Sequence, residues 1–417
     1  MSVGQRRSVR LPLEDELNVH RIGNAAGIEI SVFPNGCVFA IEHRLGESRI
    51  LINQVLGSPL GSGIGRIVLR LGDDRPPLQI AGPVAAGRTG AASDRFVWES
   101  ESDGVRHRVT LWLHPAEPVW LWRVEIENTG AEPFGCDAIL IQDLGLGERG
   151  FILGNETYAS QYLDHAIARH TDFGPVVMSR QNLSQAGRNP WIAHGCLDGA
   201  ASFATDALQV FGPAHREAPE RMPGLAAMAS LPGERLQHEA GCAAIQSYPL
   251  IIAPGETVAQ TFFALFVPDH PAATDGTDLD RLDCLSNVLD DFQSRDVPLA
   301  VSDRSILQHA VSLAGLPVAA EDIERDFPER FLEERDGGEL LSFFAPDGPI
   351  NRHIVLAAKE RRMRRRHGHI LRSGAAMLPD ERTLSATCWM QGVFAAQLTL
   401  GNTALHKLLS VSRDPTT

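Results

Sequence analysis

The residues best equipped for chemistry sit in two short phrases. The first, RQNLSQAGRNPW, runs from Arg180 to Trp191 and gathers Arg180, Gln181, Asn182, Gln185 and Asn189 beside one indole. Sugars are held by polar forks on their hydroxyls and by aromatic faces against their apolar ring faces, so Arg180, Gln181, Asn182 and Trp191 form a candidate carbohydrate contact. The same amides and glycine also build tight turns by bonding their own backbone, and that structural role is the expectation for most of the phrase. The second phrase, MRRRHGHILRSG, spans Met363 to Gly374. On a strand His367 and His369 face the same way, which offers two ligands to a metal. A structural zinc takes four, and no third ligand stands at an informative spacing, so metal is not expected. Arg361, Arg362, Arg364, Arg365 and Arg366 carry the planar fork that grips phosphate. Strand alternation divides them between two faces, however, and the nearby ERDFPERFLEERD supplies acidic partners. A solvated or ion-paired strand is the expectation there.

Other patterns carry less. GSGIG at 61–65 lacks the G-x-G-x-x-G spacing and runs into RIVLRL, which reads as a strand rather than the helix a phosphate loop needs. Asp143 with Glu148, or Glu156 with Asp164, can be paired on paper. In a chain with 52 acidic residues such pairs are common, and sequence proximity does not set the separation that a glycosidase dyad requires. No G-x-S-x-G elbow offers a serine nucleophile. Cys37, Cys136, Cys196, Cys242, Cys284 and Cys388 form no close pair, which fits reduced core thiols better than disulfides, a zinc site or a reactive thiolate.

The elements that must position these residues are mostly strands. In GIEISVFPNGCVFAIEH, Ile28, Ile30 and Val32 share a face, Pro34-Asn35-Gly36 turns the chain, and Val38 to Ile41 returns. FVWESESDGVRHRVTLWLH is a second hairpin, with Asp103-Gly104 supplying the positive φ of a tight turn. Strands at this spacing without intervening amphipathic helices indicate a large antiparallel sandwich. One helix is expected in TDLDRLDCLSNVLDDFQS, starting at Thr277 and burying Leu279, Leu282, Leu285, Leu289 and Phe292. A second short helix is expected in SDRSILQHAVSLAG, and strands of a further β unit from about residue 338. The 417 residues allow two or three domains. A net charge of −14 argues against a protein built to grip nucleic acid. The chain nowhere reaches the roughly 18 uninterrupted apolar residues of a membrane span, and a cytoplasmic location is expected.

Longer phrases carry a resemblance. LNVHRIGNAAGIEISVFPNGCVFAIEHRLGESRILINQVLG (17–57), RQNLSQAGRNPWIAHGCLDGAASFATDALQVFG (180–212), YPLIIAPGETVAQTFFALFVPDHPAAT (248–274), HGHILRSG (367–374) and WMQGVFAAQLTLGNTALHKLLSVSRD (389–414) resemble the N-terminal part of β-1,2-oligoglucan phosphorylases. These are grouped with the glycoside hydrolase family 94 phosphorylases, and the cyclic β-1,2-glucan synthases look related.

The resemblance implies a mainly β fold, a galactose-mutarotase-like antiparallel β-supersandwich with a short helical connector. The expected layout is an N-terminal sandwich over 1–276, the connector over 277–316, and the start of a second sandwich over 317–417. In such enzymes a later (α/α)6 barrel holds the general-acid aspartate, and inorganic phosphate, a co-substrate rather than a cofactor, attacks the anomeric carbon. No residue here matches that aspartate, so the chain alone is expected to be an inactive, truncated scaffold. Its expected partners are a β-glucan oligosaccharide and the barrel, with neither nucleic acid nor membrane. His367, His369 and Arg372 belong to the region that would face the barrel, and they join Arg180, Gln181, Asn182 and Trp191 as candidate substrate contacts. The alternative is a free-standing carbohydrate-binding or interaction module.

Overall fold

The computed structural model describes residues 19–301 and 320–355, apart from 47, 58–63, 73–74, 83–84, 86, 212–222, 238–239, 337 and 348–349. His367, His369, Arg372, the arginine run, Cys388 and the expected helix at 302–315 lie outside the described residues. The chain divides into two compact units, one of Met1–Arg149 with Ala159–Asp303 and one of Gly150–Tyr158 with Arg304–Thr417.

The first unit is built on a nine-stranded antiparallel sheet. Its order is Leu163–His170, Gly174–Gln181, Trp191–Cys196, Thr257–Val267, Val119–Asn128, Val105–Leu113, Arg95–Ser102, Arg88–Ala91 and Ala300–Val301. The expected hairpins are present. Ser102 pairs with Val105, and Asp103 and Gly104 between them take φ of 50° and 77°, the left-handed pair that matches strand twist. Around Pro34-Asn35-Gly36 the Phe33 amide donates to the Cys37 carbonyl at 2.8 Å, and Asn35 Oδ1 accepts from the Cys37 amide at 3.1 Å.

Alternation along Val119–Asn128 sends Trp120, Trp122, Val124 and Ile126 into one core and Val119 and Leu121 into another. The first core lies between this sheet and two others. One is a six-stranded sheet that includes Gly65–Leu71, Phe134–Asp143 and Gly241–Ser247; the other is a five-stranded sheet containing His20–Gly23, Ile28–Val32, Val38–Leu45, Ser48–Leu51 and Gly147–Glu148. The second core is closed by the segment Gly276–Asp290, whose Leu282, Leu285 and Val288 pack on Trp112, Leu121, Trp191 and Phe263.

That segment departs from the expected helix in two ways. Asp275, not Thr277, is its N-cap: the Asp275 carboxylate accepts from the Thr277 amide at 2.8 Å, and Asp278 returns a carboxylate to the Asp275 amide at 3.1 Å. It then runs as a 3-10 helix over Gly276–Cys284 before becoming α-helical over Leu285–Asp290. The tighter winding repeats every three residues, so Leu279 and Leu282 face the sheet, and Leu285 and Val288 of the α-helical turn join them there. Leu289, expected inside, is instead 37% exposed. An 11-residue helix, Arg149–Ala159, was not expected, since Gly150 and Gly154 weaken its local propensity. The outer face of the six-stranded sheet is covered by Ala207–Phe211 and Pro223–Ala227, with Val210, Phe211 and Leu225 buried against Val68, Ile139 and Ile141. Arg70 fastens the chain beside them, forking Asp137 at 2.9 and 2.6 Å and donating to the Met228 and Ala229 carbonyls.

In the second unit the helix Ala320–Asp326 precedes a three-stranded antiparallel sheet, Phe331–Asp336, Glu339–Asp347 and Ile350–Val355. Its strands start at Phe331 rather than near 338, because the acidic FLEERD run pairs with Glu339–Asp347. Ile323, Phe343 and Ala345 form its small core. Among the described residues no helix is long and apolar enough to cross a membrane.

Two outcomes follow from this packing. At Gly36 φ is 82° and an added Cβ would lie 2.1 Å from the Trp98 indole nitrogen, whereas at Gly255 φ is 75° and nothing lies within 4 Å. Gly255→Ala should cost about 1 kcal/mol of backbone strain. Gly36→Ala should cost several times more in urea denaturation, and equal effects would contradict the packing of Trp98 on this turn. The second outcome concerns pH. Burial holds His107 and His165 down at about 4 and His194 down at about 3, so the folded chain keeps them neutral. Their stabilising effect is complete above the unfolded histidine value and is lost as pH falls from there towards 4 and 3. Asp143, pushed up to about 6 by burial, acts in the opposite sense, but it is one group against three. Stability should therefore fall between pH 6.5 and 4 by about a few kcal/mol. His194→Phe should flatten that fall, since neither ring nitrogen has a partner among the described residues; an unchanged slope would remove His194 from the account.

Candidate functional site

The phrase at 180–191 joins two neighbouring strands of the nine-stranded sheet. Ala186 and Gly187 turn it with φ of 49° and 81°, closed by paired backbone bonds between Gln185 and Arg188. Its polar groups are engaged locally. Arg180 donates from Nε to the His270 carbonyl at 2.7 Å, from Nη2 to the Pro271 carbonyl at 3.0 Å, and from Nη1 to Asn182 Oδ1. Gln181 is fully buried and donates to the Gly145 and Ala159 carbonyls. Trp191 is also fully buried; its indole donates to Thr274 Oγ1 at 3.1 Å and its ring stacks on His270 at 5.6 Å between centroids. His270 in turn meets the Ala272 carbonyl at 2.9 Å and Asp278 Oδ1 at 2.7 Å. The structure thus brings Arg180, Gln181, Asn182 and Trp191 together, and the first and last of them clamp the 270–278 segment to the sheet. Asn182 remains on the surface.

A second constellation lies on the outward face of the five-stranded sheet. Alternation there puts Ile22, Ile28, Ile30, Ile41 and Ile50 into the core. Arg21, Glu29, Ser31, Glu42 and Arg49 therefore share the opposite face, and with Phe39 and Arg149 they line a hollow. Register places Glu29 directly across from Glu42, and Arg21 across from Ser31. Two carboxylates facing each other across a strand pair repel, and arginines offset this on both sides. Glu29 is bonded by Arg44, with Arg21 Nε 3.9 Å away. Glu42 is bonded by Arg149, with Arg49 Nη1 at 3.5 Å. The Glu42 side chain is 5% exposed and Arg149 18%, while Arg49 at 40% and Arg21 at 46% reach into solvent.

Phe39 enters this charged face through a bulge. Ser31 pairs with Ala40 but Val32 with Val38, so Phe39 is the surplus residue. The Gly57 amide fixes it by donating to the Phe39 carbonyl at 2.7 Å, and the approach is so close that a Cβ on Gly57 would sit 1.9 Å from the Val38 carbonyl oxygen. Phe33 packs edge-on against the Phe39 ring at 5.2 Å. The result is a half-buried aromatic ring beside two carboxylates and four guanidinium groups, so on this face arginine is in excess over glutamate.

Sequence reading did not find this hollow. The inward isoleucines were legible, but the outward residues come from four strands and the start of a helix, and only the pairing gathers them. The break of alternation in VFAIEH was the available signal. Elsewhere one reading is corrected and another holds: Asp143, expected as a solvated surface carboxylate, has a buried carboxyl group, while the thiols of Cys37, Cys136 and Cys196 are core residues as expected. Asp143 Oδ2 accepts from the Gln54 and Val55 amides at 2.7 and 3.1 Å, tying down a strand end. Burial pushes the thiols of Cys37, Cys136 and Cys196 up to about 12, far from reactive thiolates. Among the described residues no group of His, Cys, Asp and Glu could hold a metal ion.

Comparison with known proteins adds a second line of observation. The SOGP N-terminal domain model matches residues 31–264, and the glycoside phosphorylase supersandwich domain model matches 327–416. A 1,2-beta-oligoglucan phosphorylase from Listeria innocua is 30% identical over 378 residues, which cover 88% of this chain and 32% of that protein. The chain thus spans about a third of the length of the curated relative it matches. Likeness to solved structures is slight. A bacterial glucoamylase complexed with acarbose gives a TM-score of 0.40 at 8% identity, covering 66% of this chain and 35% of that one. A galactose mutarotase related enzyme from Lactobacillus acidophilus gives 0.31 at 8% identity, covering 62% of this chain and 100% of that one.

Proposed function

We propose, from the premise that this chain belongs to the family defined by the SOGP N-terminal domain, that it is the non-catalytic, glucan-binding scaffold of a β-1,2-oligoglucan phosphorylase. The observation that carries this reading is the match to the Listeria innocua relative along 88% of the chain, continuous through both β units rather than confined to one motif. In the whole enzyme an acid protonates the glycosidic oxygen, the C–O bond to the anomeric carbon breaks, and a phosphate oxygen bonds to that carbon with inversion. The products are α-glucose 1-phosphate and a glucan one unit shorter. That chemistry belongs to the (α/α)6 barrel, and the present residues hold the glucan and support the barrel. Consistent with this, the carboxylates and thiols described above are tied to backbone amides, paired with arginine or shielded by burial.

The test is to mix the purified chain with β-1,2-linked glucooligosaccharide and inorganic phosphate, assay α-glucose 1-phosphate, and follow glucan binding by calorimetry. No sugar phosphate and weak binding are expected. Steady turnover by the chain alone would replace the scaffold reading with that of an enzyme.

A further inference from the structure

We infer that the segment Gly276–Asp290 is latched to the nine-stranded sheet by His270 in its doubly protonated form, so that closure of this cover takes up a proton and a rise in pH loosens it. The device is independent of the proposed glucan-binding role.

His270 is buried, its side chain 3% exposed. Its Nδ1 lies 2.9 Å from the Ala272 carbonyl oxygen and its Nε2 2.7 Å from Asp278 Oδ1. A carbonyl has no proton to give. Nor has Asp278, whose Oδ1 also accepts from Arg281 Nε at 3.0 Å and whose Oδ2 accepts from the Asp275 amide at 3.1 Å. Burial pulls that carboxyl up, but hydrogen bonds from His270 and Arg281 outweigh it and hold the group below the ordinary carboxylate value. Both ring nitrogens must therefore donate, which only the imidazolium can do. The ring also stacks on the Trp191 face at 15° and 5.6 Å between centroids, a placement that favours a cation. The strands beneath contribute Arg180, which donates to the His270 carbonyl, and Asp164 in register with it. The flanking loop contributes Asp269 and Asp275, which are engaged by the Asn189 and Thr277 amides. Asp278 is thus the counter-charge of His270.

A second histidine ties the far end of the same segment and shows the opposite pattern. His114 Nδ1 accepts from the Glu117 and Ala116 amides at 2.8 and 3.2 Å, so it carries no proton, and Nε2 alone donates, to Asp291 Oδ2 at 3.0 Å. A neutral ring satisfies that contact. It cannot satisfy the other: with a single proton, His270 leaves either the Ala272 carbonyl or Asp278 facing a lone pair, a cost that exists only while the segment is closed. Closure is therefore linked to proton uptake, and the latch is made at lower pH and lost as pH rises.

The experiment uses the full 417-residue chain. Nitrogen-15 spectra of the histidine rings at neutral pH should show two protonated nitrogens for His270 and one for His114. Hydrogen exchange at the Leu282, Leu285 and Val288 amides, corrected for intrinsic base catalysis, should rise towards about tenfold per pH unit once His270 loses its proton. His270→Gln should flatten that rise, because an amide keeps its donors at every pH, whereas His114→Gln should leave it in place. The ring spectrum of the parent decides the matter even where His270→Gln fails to fold. A bare nitrogen on His270 at neutral pH, corrected exchange in the parent that does not change with pH, or a pH dependence that survives His270→Gln would each overturn the latch.

Discussion

A nine-stranded sheet that is apolar on both faces governs this protein. Its middle strand, Val119–Asn128, is bonded on both edges and carries two tryptophans to one side and Val119 and Leu121 to the other, so neither face can be left to water. Burying a Leu or Phe is worth about 2 kcal/mol, and apolar side chains are buried on both faces. Two further sheets cover the tryptophan side. The Gly276–Asp290 segment covers the other, which makes it a lid on the sheet rather than only a link. The 3-10 turns bring Leu279 and Leu282 to the sheet, and the α-helical turn that follows adds Leu285 and Val288 to the same face.

The same burial governs where ionisable groups can act. Interior histidines such as His194 are held neutral and interior thiols protonated, and Trp120 reaches only Gln142 Oε1 at 3.2 Å for its indole proton. A dry interior penalises the charged form of any group without a partner. Charge therefore concentrates on outward faces, where an arginine can stand beside each carboxylate. The clamp of Arg180, Trp191, His270 and Asp278 is an intermediate case: it is buried, and nearly every donor meets a carbonyl, a hydroxyl or a carboxylate.

Much of the fold was legible in the sequence. Period-two alternation and positive-φ turn residues located the strand pairs around Pro34-Asn35-Gly36 and Asp103-Gly104, because both signals are local. The lid was legible as a helix, but its cap and phase were not. Asp275 and Thr277 are both acceptable caps, and the choice depends on an extended backbone at Asp275 that tertiary packing sets. The Arg149–Ala159 helix was hidden by its glycines. The hollow was hidden for another reason: Glu29 and Glu42 are separated by a turn and a bulge, and nothing in the one-dimensional order says that they oppose each other. Phrase-level resemblance supplied what local physics did not, namely the family.

The opposition of Glu29 and Glu42 is a consequence of the core rather than a free choice. A slip of Ile28–Val32 by one residue against Val38–Leu45 would turn Ile28 and Ile30 outwards and Glu29 inwards, exchanging apolar burial for a buried charge. That penalty far exceeds the repulsion between two arginine-paired carboxylates at a surface, so the register is fixed from inside. The bulge at Phe39 absorbs the surplus residue without disturbing this pairing, since Val38 and Ile41 both still reach the core. The outward face thereby inherits a rigidity that its own salt bridges, partly exposed and individually weak, do not supply.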